Sequence, residues 1–200
     1  RELLQLDASL HSLTLSRIRQ AGQAGLSTLP GDREAYPMLG IEPLLRLCME
    51  VLARRFVECS RFDPLHDSMA EQALFDRLPD WLARLGSDAE VPLELTTRSG
   101  TFGATILGAE FRLRVARACE PLLQKLRARV AERGPHTLQV HSRLADIPGV
   151  LEALLRLPDT AVHVMAPGAA AAGLARRAAD VLGRGTGLVV ITELAWDEQQ

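Results

Sequence analysis

Lysine is almost missing from this chain of 200 residues, in which Lys125 is the only one. Arginine supplies the other cations, and the 23 basic side chains do not outnumber the 25 acidic ones, so the formal net charge is −2. A chain without a basic excess has no electrostatic signature of binding to nucleic acid or to an anionic membrane. The arginine bias fits a GC-rich bacterial genome better than phosphate recognition, and we expect neither nucleic acid nor a membrane as a partner.

The sequence also lacks long apolar runs and has few cysteines. No stretch approaches the ~18–20 consecutive apolar residues of a membrane span, and the first residues do not resemble a signal peptide. Cys48, Cys59 and Cys119 are odd in number and fall in apolar stretches with helical spacing. We therefore predict three buried free thiols in a reducing compartment, and a cytoplasmic protein.

Hydrophobic residues make up 47% of the chain and charged residues 24%, which is enough apolar material for a full core. The first thirty residues predict a β-meander: Leu4 and Leu6 alternate, Leu13 and Leu15 follow, and residues 24–29 fit a third strand. Residues 30–37 are polar and predict a loop. Because residue 1 is Arg and a strand begins at once, we expect the chain to be a piece of something longer.

The middle of the chain predicts two helices, a hairpin and a long helical stretch. Apolar residues recur at helical spacing over residues 41–59, and a second helix runs from an N-cap at Asp67 or Ser68 to about residue 85, with an interruption and kink at Pro79. Strands 91–97 and 101–107 form a hairpin with Gly100 in its turn. Residues 110–130 are helical, with a break at Pro121.

The last third alternates between strands and helices. Strands are predicted at residues 137–141, 161–165 and 187–192, and helices at 148–157 and 168–182. The expected fold class is therefore α/β: a mixed sheet with N-terminal antiparallel hairpins and C-terminal parallel β-α-β units, plus a helical insertion over residues 41–85.

A charged corner follows the first helix. Asp63, His66 and Asp67 place two carboxylates beside an imidazole, a composition that fits a metal site or a general base. No second cluster of Asp and His accompanies them, so we favour a helix-to-helix turn and predict no metal. The concentration of charge, which includes Arg61, leaves these four residues as candidates for contact with a protein partner.

The other polar motifs give weaker evidence for a functional site. His11 follows a serine in the first hairpin turn, but the chain has no G-x-S-x-G motif, so a hydrolase is disfavoured. His136 and His163 have no companion of ligand type and are expected to be surface or satisfied core residues. The sequence GRGTG at residues 183–187 lies between a predicted helix and a predicted strand and lacks the lysine of a P-loop, so it is a connection.

One stretch carries a family resemblance. LQVHSRLADIPGVLEALLRL at residues 138–157, followed by a strand and APGAAAAGLARRAADVL, resembles the end of the second lobe of the actin-like ATPase superfamily. This superfamily includes actin, the DnaK-type heat-shock chaperones and several sugar kinases. The chaperones have a hydrophobic strand, Gly-Gly-Ser, a short loop with arginine, Ile-Pro and a helix at this point. Ser142, Arg143, Ile147 and Pro148 match that layout.

The upstream order of elements is similar to the same family. LLQLDASLHSLTLSRI resembles the chaperones' strand with Asp-x-Gly-Gly-Gly-Thr and a return strand, with Asp7 at the acidic position. Leu39 and Gly40 match the Leu-Gly-Gly segment that opens a helix, and Phe111 and Pro121 match the helix after the hairpin. The resemblance covers nearly all 200 residues. It implies a single ribonuclease-H-like lobe, an actin-like ATPase lobe whose partner is the other lobe of the same chain.

The same resemblance implies the site residues. Asp7 would orient Mg²⁺ or its bound water and is the one candidate for a catalytic role. Ser142 and Arg143 would contact ribose or adenine, and Gly40 would lie near the base or the phosphates. Ser9 stands in the turn that would face the phosphates. ATP and Mg²⁺ are the cofactors that the family implies for the full-length protein, and none is expected for this piece alone.

The departures from the family pattern concern the glycines. Glycine lets backbone N–H groups approach phosphate closely, and a Cβ obstructs that approach. Ala8, Ser9, Leu10 and His11 replace the glycine-rich turn after Asp7, and His141 replaces a glycine of the adenosine loop. We therefore expect weak or lost ATP binding and at most a degenerate ATPase. The alternative is a non-catalytic protein-interaction scaffold built on the same fold.

Overall fold

The computed structural model of the chain describes residues 2–21, 25–27, 32–37, 39–131, 136–178 and 193–195. Within these ranges seven strands form one sheet. The strands are Glu2–Ala8 (β1), Ser12–Ala21 (β2), Gly25–Ser27 (β3), Arg33–Pro37 (β4), His136–Val140 (β7), Thr160–Val164 (β8) and Glu193–Ala195 (β9).

The sheet is mixed, as predicted. Its strand order is β8-β7-β1-β2-β3-β9, and β4 pairs with β2 beside β3. β1 is antiparallel to β2 but parallel to β7, and β7 is parallel to β8. The predicted N-terminal meander and the parallel C-terminal strands are therefore confirmed for the described residues. The predicted strand at 187–192 and the GRGTG connection lie outside the described residues.

The predicted loop at residues 30–37 is wrong for its second half. Arg33–Pro37 forms β4, which pairs antiparallel with the first half of β2 and places Tyr36 opposite Leu13. Tyr36 is buried whereas its neighbours along the strand are not, so the pairing is stabilised by one apolar anchor. Only the tertiary contact with β2 distinguishes this polar strand from a loop.

Two twenty-residue helices follow, close to their predicted bounds. α1 spans Ile41–Ser60, and α2 spans Ser68–Ser87 with Asp67 as its N-cap. The Asp67 side chain accepts a hydrogen bond from the Ala70 amide at 3.2 Å. Pro79 lies inside α2 without interrupting it. The predicted interruption is thus wrong, since buried leucines and Trp81 on both sides of Pro79 hold the two halves to the core.

The hairpin and the next helices follow the predicted order, but Gly100, predicted in the hairpin turn, is the first residue of the second strand, and the helix break predicted at Pro121 lies at Cys119. β5 (Glu90–Thr97) and β6 (Gly100–Leu107) form a separate two-stranded sheet with a tight turn at residues 98–99. α3 (Gly108–Ala118) and α4 (Glu120–Ala131) are separated at Cys119. Pro121 therefore lies in the first turn of α4, where a missing amide hydrogen costs little.

The C-terminal crossover is more broken than predicted. After β7 the chain forms a short helix α5 (Ser142–Ala145) and a second short helix α6 (Val150–Leu154) instead of one helix over 148–157. Gly149 lies between them with φ of 97°. α7 spans Ala169–Arg176, and the rest of the helix predicted over 168–182 extends into residues that are not described.

One apolar cluster connects the sheet with the helices. It contains Leu6 and Val140 from the sheet, Phe56 from α1, Leu74 from α2 and Phe111 from α3, so the 41–85 segment shares the core of the sheet. Among the described helices, none combines the length and the apolar character that crossing a membrane requires.

Two of the three cysteines lie in this core. Cys48 and Cys119 are buried, whereas Cys59 is exposed near the end of α1. The prediction of three buried thiols is therefore wrong for Cys59, which lies in the last turn of α1 and lines an open cavity against the β5–β6 hairpin. Burial raises the pKa of Cys48 to about 12, with a smaller contribution from the nearby Cys119. Burial also raises the pKa of Cys119 to about 11.

Candidate functional site

The loops that follow β1, β7 and β8 meet at the carboxyl edge of the parallel strands. The His141 amide donates to the Leu6 carbonyl at 3.0 Å and the Met165 amide donates to the Val140 carbonyl at 2.8 Å, so the strand ends stay in register. Between the loops lies a cavity of about 400 Å³, which we call the edge cavity. It is lined by Ala8, His141, Ser142, Arg143, Asp146, Pro167 and Gly168. Ligands of open α/β sheets bind at such edges.

The structure brings part of the predicted nucleotide site together here. Ser142 and Arg143 line the edge cavity, and Ala8 contributes its wall from the end of β1. Asp7 is exposed, and its carboxylate accepts a 2.9 Å hydrogen bond from the Ala8 amide. The Arg143 guanidinium makes no ion pair with any residue that the structure describes. The cavity thus offers the Arg143 guanidinium as a cation, together with the Asp146 carboxylate in its lining.

The turn between β1 and β2 is closed on itself. The Ser9 amide donates to the Ser12 carbonyl at 2.9 Å, and the Ser9 hydroxyl accepts from the Ser12 amide at 3.1 Å. The Ser9 hydroxyl also lies 2.9 Å from the Ser12 carbonyl and 3.0 Å from the Ser12 hydroxyl. With the Ala8 amide bonded to Asp7, three backbone donors of this turn are used internally. Ser9 is therefore a turn residue, and it does not line the edge cavity.

The start of α1 is bonded to the same turn. The Ile41 amide donates to the Ser9 carbonyl at 3.0 Å, and the Glu42 amide donates to the Leu10 carbonyl at 2.9 Å. These two donors are among the free N–H groups that a helix N-terminus would otherwise present to an anion. A Cβ on Gly40 would lie 2.3 Å from the backbone of His11 and Ser12. Gly40 therefore permits close packing of the turn and lies away from the edge cavity.

His141 performs a similar capping role at the second loop. Its Nδ1 atom accepts a 3.2 Å hydrogen bond from the Arg143 amide, which makes His141 the N-cap of α5. A glycine at this position would leave that amide free, whereas the histidine occupies it. The side chain at position 141, like those of the turn after β1, therefore occupies a backbone donor of its own loop.

The charged corner between α1 and α2 is a turn stabilised by its own residues. Arg61 ends α1 in the left-handed conformation with φ of 58°. The Asp63 carboxylate accepts from the Leu65 amide at 3.0 Å and lies 3.5 Å from Nδ1 of His66. The Asp67 carboxylate is the N-cap of α2. Both acidic side chains are thus engaged within the corner.

Aromatic packing fixes the same corner to the hairpin. The rings of Phe62 and Phe102 stack at 3.8 Å with an interplanar angle of 4°. His66 remains 90% exposed. Among the described residues no group of three or more His, Cys, Asp or Glu side chains is placed to hold a metal ion. The geometry supports the turn interpretation of Arg61, Asp63, His66 and Asp67.

The remaining histidines form no catalytic pair within the described residues. His11 is 75% exposed and lies 4.0 Å from the Glu42 carboxylate. His163 is exposed on β8, whereas His136 is buried at the start of β7. Neither ring nitrogen of His136 has a hydrogen-bond partner in the described part of the chain. The expectation of a satisfied core histidine is therefore wrong for His136.

Two cavities beside α1 and α2, both larger than the edge cavity, were not predicted from the sequence. One of about 710 Å³ lies between α1, α2 and the α5–α6 region, and one of about 700 Å³ lies between α1, α2 and the β1–β2 turn. Leu45 and Phe75 line both, so the two cavities are neighbours along the same pair of helices. We call them together the α1–α2 groove. The available signal was Phe75, which stands at i, i+3 and i+7 spacing with the buried Leu78 and Leu82 and so borders the apolar stripe of α2, yet is 47% exposed.

Comparison of the chain with models of known protein families and with curated protein sequences finds no match.

Proposed function

We propose that this chain is the second lobe of a protein with the actin-like ATPase fold, that it has lost Mg·ATP binding, and that it serves as a non-catalytic scaffold for protein interaction. The observation that carries this proposal is the closed turn after β1. Its Ala8, Ser9 and Ser12 amides donate internally, and the turn in addition accepts two hydrogen bonds from α1.

The sheet supports the fold part of the proposal. An antiparallel meander precedes the parallel strands β7 and β8, and β1 lies between the two halves. This is the order expected of a ribonuclease-H-like lobe. The loops after β1 and β7, where the family would bind ATP, meet at one edge of the sheet.

The energetics support the functional part. Micromolar affinity corresponds to about 8 kcal/mol, and a charge-assisted hydrogen bond contributes about 1.5–3 kcal/mol. Several such contacts to the phosphates are therefore needed. The edge cavity offers the Arg143 guanidinium, and Asp146 beside it repels phosphate. The turn after β1 would have to break its internal hydrogen bonds before its amides could donate to phosphate. The cost of breaking these bonds would cancel most of the binding free energy that the new bonds contribute.

A weak adenine-nucleotide site in the full-length protein is the second candidate. It is favoured by the convergence of Ser142 and Arg143 with the end of β1 in one cavity. In that case Asp7 would hold or orient Mg²⁺, and the other lobe would supply the remaining phosphate contacts.

Thermal unfolding of the protein with and without Mg·ATP separates the two candidates. A ligand at 100 times its Kd stabilises the folded state by about 2.7 kcal/mol, so even a Kd near 10 µM gives a clear rise in Tm at millimolar nucleotide. We expect no rise beyond that of Mg²⁺ alone. A rise that disappears in Arg143→Ala and Asp7→Ala would contradict the proposal and establish the second candidate.

A further inference from the structure

The α1–α2 groove is long and apolar along its floor. α1 and α2 each have 20 residues, which corresponds to about 30 Å of helix. The two cavities lie along this pair of helices and share the side chains of Leu45 and Phe75. Phe75 is 47% exposed, and Leu10 at the end of the groove is 59% exposed. Leu10 and Phe75 line the same cavity with other apolar side chains, so they belong to a patch and are not scattered exposed residues, and such patches mark interaction surfaces.

The rim of the groove is acidic. The carboxylates of Glu42, Glu50, Glu71, Asp146 and Glu152 line it, against the guanidiniums of Arg46 and Arg143. Arg46 is already paired with Glu42 at 3.4 Å. Glu50, Glu71 and Asp146 make no ion pair with any residue in the described part of the chain. Unpaired carboxylates beside an apolar floor favour a ligand with cations at its edges.

Pro79 adds a backbone acceptor to the same surface. Proline has no amide hydrogen, so the carbonyl of Phe75, four residues earlier in α2, lacks its normal helical donor. Phe75 and Pro79 both line the larger of the two cavities. A helical carbonyl that lacks this donor can accept a hydrogen bond from a cationic side chain.

We propose that the α1–α2 groove binds an amphipathic helix of a partner protein, with an apolar stripe flanked by lysine or arginine. This inference rests on the proposed scaffold function and names the chemistry of the partner. A helix of three to four turns has its apolar residues at i, i+3, i+4 and i+7, which fits a groove between two helices. A compact small molecule would fill one of the two cavities and leave the acidic rim of the other unpaired.

The family resemblance predicts glycine where the chain has Leu10, and the groove gives that residue a role. Its exposed side chain closes the end of the smaller cavity beside Leu65 and Phe75. Leucine in place of the glycine that the resemblance predicts would thus remove a flexible residue from the phosphate turn. The same leucine adds an apolar side chain to the α1–α2 groove.

The probe is a fluorescein-labelled 16-residue peptide with leucine at the stripe positions and lysine and arginine beside them. Its first control has the same composition in scrambled order, so that the stripe is lost. Its second control keeps the stripe and replaces the basic residues by glutamate. Binding to the full-length protein is measured by fluorescence anisotropy at two salt concentrations. We expect the first peptide to bind, with weaker binding at higher salt, and both controls to fail.

Matched variants locate the binding surface. Phe75→Ser is expected to weaken binding about tenfold or more, as truncation of a central aromatic contact does. Leu113→Ser is its control, because Leu113 has the same 47% exposure on α3 and does not line the groove. Glu71→Lys should weaken binding, whereas Asp80→Lys, on α2 but outside the groove, should not. Circular dichroism melting verifies that all four variants fold.

Each outcome decides the inference. Failure of the striped peptide to bind, or equal loss in Phe75→Ser and Leu113→Ser, overturns it. If the glutamate peptide binds as tightly as the basic peptide, the partner helix does not need lysine or arginine, and that part of the proposal is overturned. A dimer that sedimentation detects in the wild type and not in Phe75→Ser shows that a second copy covers the groove, which also overturns it. None of these results affects the Mg·ATP melting experiment, so the scaffold proposal fails or survives separately.

Discussion

The backbone amide of Ile41 donates a 3.0 Å hydrogen bond to the carbonyl oxygen of Ser9. This bond and its neighbour from Glu42 to Leu10 join the first turn of α1 to the turn between β1 and β2. Because Ile41 and Glu42 lie in the first turn of α1, two N–H groups that a helix N-terminus would otherwise present to an anion are used within the protein. The packing at this contact is testable by itself.

Gly40→Ala should destabilise the protein by about 2–3 kcal/mol, since the new methyl group would lie 2.3 Å from the backbone of His11 and Ser12. The free energy of unfolding is measured by urea denaturation. Gly173→Ala, in α7, is the control because no atom lies within 4 Å of its added Cβ. It should leave stability unchanged or raise it by about 0.5–1 kcal/mol. Similar losses in both variants would contradict the close contact.

Gly149→Ala should lower the free energy of unfolding more than Gly168→Ala does. Both glycines have positive φ, 97° and 76°, so both substitutions carry the strain of a left-handed residue, about 1–2 kcal/mol. Only at Gly149 would the methyl group also meet backbone, at 2.4 Å from the Arg112 carbonyl oxygen. We expect a difference of about 1–3 kcal/mol between the two variants in urea denaturation. Equal costs would show that α3 and α6 are not packed as closely as described.

The cysteines should differ in reactivity. Cys59 is exposed, and Cys48 and Cys119 are buried, so a thiol reagent should label one cysteine in the folded protein and three after denaturation. Mass spectrometry of the peptides identifies the labelled site. Labelling of Cys48 as fast as that of Cys59 in the native protein would contradict the buried position.

The same thiols should make stability fall at high pH. Burial raises the pKa of Cys48 to about 12 and that of Cys119 to about 11, from an ordinary value of 9.0. Below pH 9 both thiols are protonated in the folded and in the unfolded protein, so their contribution to the free energy of unfolding is fully present. Between pH 9 and about pH 12 the unfolded chain loses these protons first, so the free energy of unfolding decreases. The double variant Cys48→Ala, Cys119→Ala should show a shallower decrease over this interval.

His136→Leu should raise the free energy of unfolding by about 1 kcal/mol. Both ring nitrogens are buried without a hydrogen-bond partner in the described residues, and an apolar side chain of similar size removes that desolvation cost. His163→Leu is the control, because His163 is exposed on β8 and little should change. Destabilisation by His136→Leu in thermal and urea unfolding would show that the imidazole is satisfied after all.

Local elements were predictable where the signal lies in neighbouring residues. The apolar spacing in α1 and α2, the Asp67 cap and the hairpin around residues 98–99 all follow from side chains a few positions apart, and all are found. Tertiary contacts decided the exceptions. Arg33–Pro37 became a strand because β2 offers it a partner, and α2 continues through Pro79 because both halves pack on the core.

For the candidate site, too, some features were predictable from the sequence and others depend on tertiary contacts. The sequence by itself determined which side chains follow β1 and β7, because the identities of Ser9, Leu10 and His141 do not depend on conformation. The correspondence of these positions to family glycines stays a prediction. Only the tertiary structure decided what those residues do: the Ser9 turn accepts the α1 amides, His141 caps α5, and Leu10 borders the α1–α2 groove. The His141 cap is local, but the roles of Ser9 and Leu10 join segments 32 residues apart (Ser9 to Ile41) and up to 65 residues apart (Leu10 to Phe75). No local pattern specifies which contacts such distant segments will share.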